Sequence, residues 1–113
     1  MSIKIKTEKK IIRGEKFYKI VGVKALQKEE LPKKYTELLG SVCLKIYKND
    51  DEWLWVRDST GLSMLVRKGD LVPSEKMEKI TDTCKKAGVL LRKINLELKV
   101  ENEGWEGEET FVI

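Results

Sequence analysis

Residues 42–67, VCLKIYKNDDEWLWVRDSTGLSMLVR, decide the fold that this sequence predicts. Three runs of strand-forming residues, Val42 to Tyr47, Glu52 to Asp58 and Leu62 to Arg67, are separated by the turn-forming stretches KNDD and STG. Short runs at this spacing are typical of a β-meander, in which consecutive strands pair antiparallel. We therefore expect an antiparallel sheet with residues 42–67 as its meander.

The turn between the second and third runs predicts which side chains share a face. Asp58-Ser59-Thr60-Gly61-Leu62 fits a three-residue hairpin loop with a left-handed glycine, so Asp58 should oppose Leu62. One face is then wholly apolar and is expected to be core: Val42, Leu44, Ile46, Leu54, Val56, Leu62, Met64 and Val66. The opposite face is expected to carry Cys43, Lys45, Tyr47, Trp53, Trp55, Arg57, Ser63, Leu65 and Arg67.

This second face combines three aromatic side chains with three cations and contains no carboxylate. Aromatic rings stack on bases, and cationic groups pair with phosphates, so the face could be a ligand platform. In that interpretation the phosphate contacts are Lys45, Arg57 and Arg67, and the stacking surfaces are Tyr47, Trp53 and Trp55. In the alternative interpretation both Trp residues lie in the core beneath a C-terminal helix, and the cations reach past that helix to solvent.

Further elements flank the meander. Alternation in Lys4 to Thr7 and in Lys16 to Leu26 predicts two strands joined by a turn at Gly14 and Glu15. Pro32 suits the first turn of a short helix, and Gly40 can end it in the left-handed conformation.

A long helix is expected over about residues 74–98, beginning at Ser74 as N-cap. Its apolar or small residues recur at alternating spacings of three and four: Met77, Ile80, Cys84, Ala87, Leu91, Ile94 and Leu98. A helix of about 25 residues is about 37 Å long, more than a domain of this size covers, so the seam is expected to be an oligomer interface. Ile94 to Val100 also alternates and could form a strand instead.

Charge is distributed unevenly along the 113 residues. Residues 1–49 form a basic front with 13 basic and five acidic side chains, whereas residues 101–113 form an acidic tail with five Glu and no base. The tail could pack against basic residues of its own or of a neighbouring subunit, or the basic front could face a phosphate-bearing ligand. Because the chain ends on Phe111, Val112 and Ile113, we expect this end to be buried as an edge strand.

Several kinds of chemistry are not expected. The chain has no His, and Cys43 and Cys84 are 41 residues apart without a CxxC, so we predict no metal, no cofactor and reduced, inert thiols. No phosphate-binding loop or nucleophile motif occurs. Adjacent carboxylates at Asp50 to Glu52 and at Glu108 and Glu109 leave acid–base catalysis formally possible, but solvated turns explain them better, and we expect no enzyme.

The N-terminus MSIKIKTEKK lacks the apolar segment of a secretion signal, and no run approaches the ~20 apolar residues that span a bilayer, so a cytoplasmic protein that contacts no membrane is expected. The stretch GDLVPSEKMEKITDTCKKAGVLLRKIN and the ending WEGEETFVI resemble small accessory proteins of phages from low-GC bacteria. That resemblance implies a binding function in the host cytoplasm, because such proteins include inhibitors of host defence that bind a host protein or sequester a nucleotide second messenger.

The sequence therefore predicts one α+β domain over residues 1–113: an antiparallel meander, a short helix, a long C-terminal helix and a C-terminal edge strand. The expected function is that of a non-enzymatic homo-oligomer that binds a nucleotide second messenger or single-stranded nucleic acid. The alternative is a protein-interaction module whose basic front binds and inhibits an acidic host protein.

Overall fold

The computed structural model describes residues 3–12, 14–27, 30–48, 51–57, 63–65, 71–73, 86 and 104–113. These residues form one antiparallel sheet of seven strands in the order β6-β5-β4-β3-β2-β1-β7. The elements are β1 (Ile3–Ile12), β2 (Glu15–Ala25), α1 (Lys33–Thr36), β3 (Val42–Lys48), β4 (Asp51–Arg57), β5 (Ser63–Leu65), β6 (Leu71–Pro73) and β7 (Glu106–Val112). Six consecutive strands form a meander, and the C-terminal strand pairs with β1 at the sheet edge.

Two bulges bend the sheet next to the middle of β1. On β2, Lys6 pairs with Gly22 but Thr7 pairs with Ile20, which leaves Val21 as an extra residue. On β7 the pairing shifts between Thr7 and Lys9, where Gly107 has a φ of 76°. A glycine in this conformation is typical of a bulge, and bulges increase the local twist and bend of a strand.

The face of the sheet that carries the main core is called the inner face here. Its apolar cluster is Ile3, Ile5, Tyr18, Ile20, Tyr35, Leu38, Cys43, Leu54, Val56, Phe111 and Ile113. Tyr35 of α1 and the adjacent Leu38 pack onto this cluster, and Gly40 ends the segment with a φ of 82°. The opposite side of the sheet is called the outer face.

Backbone hydrogen bonds hold the C-terminal residues beside the first residue of β1. The backbone N–H groups of Ile3 and Ile113 each donate to the other residue's carbonyl oxygen at 2.9 Å. Phe111 and Ile113 are buried in the inner-face core, whereas Val112 between them is exposed on the outer face. The edge strand expected at this end of the chain is therefore present within the subunit.

The predicted pairing of faces in the meander is wrong by one residue at both hairpins. Lys48 pairs with Asp51, so even-numbered residues of β3 share a face with odd-numbered residues of β4. Leu54 and Val56 therefore lie on the inner face with Cys43, not with Leu44. In the next hairpin Leu54 pairs with Leu65, whereas the expected opposition of Asp58 and Leu62 would pair Leu54 with Val66.

The α+β class is also wrong, because the described part of the chain is mainly β. Its seven strands are accompanied by one helix of four residues, so the expected long C-terminal helix is not found there. Residues 74–98, on which that helix and its seven-residue oligomer seam were predicted, lie outside the described residues apart from the exposed, helical Lys86. A spacing of apolar residues does not by itself separate a helix from a strand. The described part of the chain belongs to the mainly β class because long strands such as β1 and β2 make up most of it. No helix within the described ranges is long and apolar enough to cross a membrane.

Candidate functional site

The residues of the predicted ligand platform do not share one face. Lys45 and Tyr47 lie on the inner face, and Tyr47 is 70% exposed. Trp53 and Trp55 lie on the outer face, opposite Ile46 and Leu44 of β3. Arg57 is opposite Val42 in the ladder, but its side chain lies outside the described part of the chain, and so does the whole of Arg67.

The outer face of β3 and β4 is an apolar layer rather than a stacking surface. Trp55 is fully buried, and so are Phe17 and most of Leu44. Trp53 is half-buried, and the buried indole nitrogens of both Trp residues have no hydrogen-bond partner among the described residues. A base could not stack on Trp55 in this structure.

Lys45 is held by acidic and aromatic groups on the inner face. Its ammonium lies 2.9 Å from Glu109 Oε1, 3.3 Å from Glu52 Oε1 and 4.7 Å from the centre of the Tyr18 ring. Burial by itself lowers the pKa of Lys45, but the hydrogen bonds and charges of Glu109 and Glu52 outweigh burial and raise it. The ammonium of Lys45 is thus already paired with carboxylates of its own subunit and is not free to contact a phosphate.

Glu109 joins this ammonium to two other strands. The hydrogen bond from Lys45 lowers the pKa of Glu109, and the Tyr18 hydroxyl also bonds to its carboxylate. Burial, followed by the negative charge of Glu109, raises the pKa of Tyr18. The Thr7 hydroxyl donates to the backbone oxygen of Glu109 at 3.0 Å. This network explains a role of the acidic tail: Glu109 satisfies a cation of its own subunit.

The outer face of β1 and β2 carries most of the accessible positive charge of these strands. Strand alternation and the pairing of β1 with β2 place five lysines on this face, and the group is called the lysine face here: Lys4, Lys6, Lys10, Lys19 and Lys24. Lys4 and Lys24 are directly opposite each other in the antiparallel ladder. Like charges at directly opposed positions destabilise a sheet, by up to about 1 kcal/mol.

Among the described residues, carboxylates lie near some lysines of this face but not near Lys4 and Lys24. Glu108 lies 3.5 Å from the ammonium of Lys6, and Glu8 is directly opposite Lys19. On β7 the residue opposite Lys4 is Val112, and within the described ranges neither Lys4 nor Lys24 has an ion pair. Two ammonium groups without an ion pair among the described residues therefore adjoin at one end of the lysine face.

The other end of the lysine face meets an aromatic ring. The Lys10 ammonium lies 6.0 Å from the centre of the half-buried Trp105 ring. Gly104 precedes this ring with a φ of 92°, a left-handed conformation that favours glycine.

The sequence predicted the basic front but not the positions of its lysines on the lysine face. The count of charges in residues 1–49 indicated a basic surface, and alternation in β1 could have indicated its face. The opposition of Lys4 to Lys24 depends on the bulge at Val21, which leaves no clear signal in the sequence. Trp105 was not among the predicted site residues, because its neighbour Lys10 is distant in sequence.

Searches against family models, curated proteins and solved structures found no match to this chain. No cluster of three or more His, Cys, Asp or Glu side chains that could hold a metal ion occurs among the residues that the structure describes. The lysine face is consequently the candidate site with the clearest chemical character, which is a concentration of positive charge.

Proposed function

We propose that this protein is a non-enzymatic binding protein that holds a phosphate-bearing ligand on its lysine face. The observation that supports the proposal is the direct opposition of Lys4 and Lys24, with Lys6 two residues along the same strand face. Lys4 and Lys24 have no ion pair among the described residues, and their mutual repulsion is relieved when an anion lies between them.

The proposed ligand contacts lie on β1 and β2, not on β3 and β4 as the sequence predicted. Lys45 is already paired with Glu109 and Glu52, and Trp55 is buried, so neither supports a platform on β3 and β4. Lysine donates as a compact point charge and does not demand a planar partner. The lysine face therefore suits phosphate groups in general, whether they belong to a free nucleotide or to a nucleic acid.

The wider setting of the proposal follows from the sequence. The seam of apolar or small residues from Met77 to Leu98 predicts a homo-oligomer, and the resemblance to phage accessory proteins implies the cytoplasm of an infected cell. Light scattering tests the oligomer: a mass of one 13.1 kDa chain at hundreds of micromolar would contradict it.

A second candidate function is binding of an acidic host protein, which the protein would inhibit. Exposed aliphatic side chains favour it: Val112, opposite Lys4 on β7, and Val21 at the bulge of β2 are 49% and 41% exposed. Apolar groups beside cations are typical of the centre and rim of a protein interface.

A titration with two phosphate probes tests the main proposal. Fluorescein-labelled dT8 and ATP are added to the wild type and to the double variant Lys4→Gln/Lys24→Gln at low salt. Loss of one charge-assisted contact costs about 1.5 to 3 kcal/mol, so the double variant should lose a hundredfold or more in affinity.

The matched control is Lys16→Gln/Lys33→Gln, which removes the same charge from exposed positions away from the lysine face. Once the general effect of lower net charge is subtracted, the control should bind within about twofold of the wild type. The control should also melt like the wild type, whereas Lys4→Gln/Lys24→Gln should melt at the same or a slightly higher temperature because it removes two opposed like charges. Equal loss in both double variants, or absence of binding to either probe, would overturn the proposal. Binding of an acidic protein that depends on Val21 and Val112 would favour the second candidate.

A further inference from the structure

We infer that two copies of this chain pair through β7, so that their sheets join edge to edge across a two-fold axis. This inference assigns an interface to the homo-oligomer of the proposed function and does not depend on the phosphate-bearing ligand. It rests on the side of β7 that faces away from β1, which is called the free edge here. Within the sheet that the structure describes, no strand adjoins this edge.

The backbone groups of the free edge follow from the pairing of β7 with β1. Ile3 and Ile113 exchange two hydrogen bonds at 2.9 Å, and bonded pairs occur at every second residue of an antiparallel ladder. Phe111 and Glu109 are therefore the next residues of β7 that bond to β1. The N–H and C=O groups of three exposed residues point the other way, and such a row is a template for a further strand: Glu108, Thr110 and Val112.

Only part of the free edge is protected against pairing. Sheet edges are usually protected by charged side chains, bulges or proline. On β7 these features are confined to its first half, which has the bulge glycine Gly107 and the carboxylates of Glu106 and Glu108. Thr110 and Val112 carry no charge, and Val112 is 49% exposed. The second half of β7 is therefore open to another strand.

The same three outward-facing residues determine a register. If Thr110 lies opposite Thr110 of a second copy, Glu108 lies opposite Val112 on both sides, and the three bonded pairs make about six hydrogen bonds. A shift in one direction places Glu109 opposite Glu109, and like charges at opposed positions destabilise a sheet. A shift in the other direction moves Glu108 beyond β7 of the second copy and loses a bonded pair. The two-fold axis therefore passes between the two Thr110 residues.

Charge identifies a second copy as the occupant. In this register the positions across the outer face follow the order Lys24, Lys4, Val112 and then Glu108 of the second copy. Lys4 and Lys24 have no ion pair among the described residues, so the second copy brings a carboxylate toward the end of the lysine face that lacks one. A lysine and a glutamate side chain together span the roughly 10 Å of two strand spacings across Val112. The space between Lys4 and Lys24 stays open to a phosphate.

Pairing through β7 stops at two copies. The contact is isologous, and each copy uses its own β7 edge in it. At the other edge of the described sheet, β6 is only three residues long and ends in Pro73, which lacks a backbone donor. Short edge strands that contain proline resist pairing, so the inference predicts a dimer and not a fibre.

The first test compares Thr110→Pro with its matched control Thr110→Ala by light scattering, from micromolar to hundreds of micromolar protein. Proline removes an N–H that points away from β1, whereas alanine removes the same side chain and keeps that N–H. We expect the wild type and Thr110→Ala to dimerise alike. Thr110→Pro should raise the dissociation constant of the dimer about ten- to a hundredfold. Urea melts show whether each variant is folded.

A second variant decides the question even if Thr110→Pro does not fold. Opposed residues of a bonded pair have Cα atoms about 5.5 Å apart, which suits a disulfide. In a Cys84→Ala background, Thr110→Cys should therefore cross-link to a dimer under mild oxidation, as non-reducing electrophoresis measures. Thr36→Cys, at an exposed position on α1, is the control and should stay monomeric on the gel.

The outcomes separate this inference from the proposed function. If a folded Thr110→Pro dimerises like Thr110→Ala, or Thr110→Cys cross-links no faster than Thr36→Cys, the β7 interface is wrong although the homo-oligomer stands. A wild type that stays monomeric at hundreds of micromolar overturns both the homo-oligomer and its interface. Phosphate binding on the lysine face is decided separately by the titration of Lys4→Gln/Lys24→Gln.

Discussion

The ammonium of Lys45 on β3 lies 2.9 Å from the carboxylate of Glu109 on β7, although β2 and β1 lie between these strands. On a flat sheet, β3 and β7 would be three strand spacings apart, or roughly 14 Å. The two side chains meet because both are long and because the two bulges beside the middle of β1 bend the strands between them. This ion pair therefore joins the edge strand to the centre of the sheet across the core.

The first prediction is that Lys45→Met destabilises the fold. Methionine can fill the space of the lysine stem, but Glu109, Glu52 and the Tyr18 ring lose their common cation. Because the two carboxylates are partly exposed and can be rehydrated, we expect a loss of about 1 to 2 kcal/mol, less than for a fully buried pair. Urea melts measure the loss, with exposed Lys16→Met as the control. Equal midpoints for both variants would mean that the ion pair contributes nothing.

The second prediction concerns acid. The pKa of Glu109 is lower in the folded protein than in the unfolded chain, so its stabilising effect is present above the usual pKa of 4.5 and is lost as the pH falls through the folded value. Stability should therefore decline below about pH 4.5, and Glu109→Gln should flatten that decline. Urea melts between pH 3 and 7 give the curve. Glu106→Gln, on the same strand and exposed, should keep the wild-type curve.

The third prediction concerns base. The pKa values of Lys45 and Tyr18 are both raised, so their contributions are complete below the unfolded values of 10.5 and 10.0 and are lost as the pH rises above them. Stability should hold through pH 9 and fall beyond pH 10. Tyrosine absorbance should include a hydroxyl that ionises above the usual pKa of 10.0, and Tyr18→Phe should remove this signal. Early ionisation of every tyrosine would contradict the described network.

The fold was predictable where local signals were strong. Turn residues and β-branched runs located β1 to β4 and the C-terminal strand, because these signals lie within a few residues of the strands they bound. Register was not predictable with the same certainty. The pairing of Lys48 with Asp51 differs by one residue from the pairing that the predicted faces require. Trp53 and Trp55 therefore lie on the face opposite Lys45, and the residues of the expected platform are divided between two faces.

The candidate site was harder to predict than the strands because its residues meet through long-range pairing. The basic count of residues 1–49 indicates that lysines are abundant, but only the ladder shows that Lys4 opposes Lys24. Lys10 and Trp105 are likewise brought together by the pairing of β1 with β7. A single sequence carries no local signal for such contacts.

The fourth prediction is that Cys43 does not react in the folded protein. Its side chain is fully buried, and burial raises the pKa of its thiol to about 12, so almost no thiolate exists at neutral pH. In a Cys84→Ala background, which leaves Cys43 as the one thiol, labelling by a disulfide reagent at pH 8 should proceed only as fast as the protein unfolds. Rapid labelling without denaturant would show that the inner-face core opens locally.

The last prediction compares two neighbouring residues of the C-terminal strand. Phe111 is 3% exposed and opposes Ile5 in the inner-face core, so Phe111→Ala should cost about 3 to 5 kcal/mol in the free energy of unfolding. Val112 is on the outer face and half exposed, so Val112→Ala should change that free energy by about 0.5 kcal/mol or less. Both variants keep the backbone pairing of β7 with β1, which isolates the effect of the buried ring. If the two variants melt alike, the C-terminal strand is not part of the core, and the contact of Glu109 with Lys45 would lose its support.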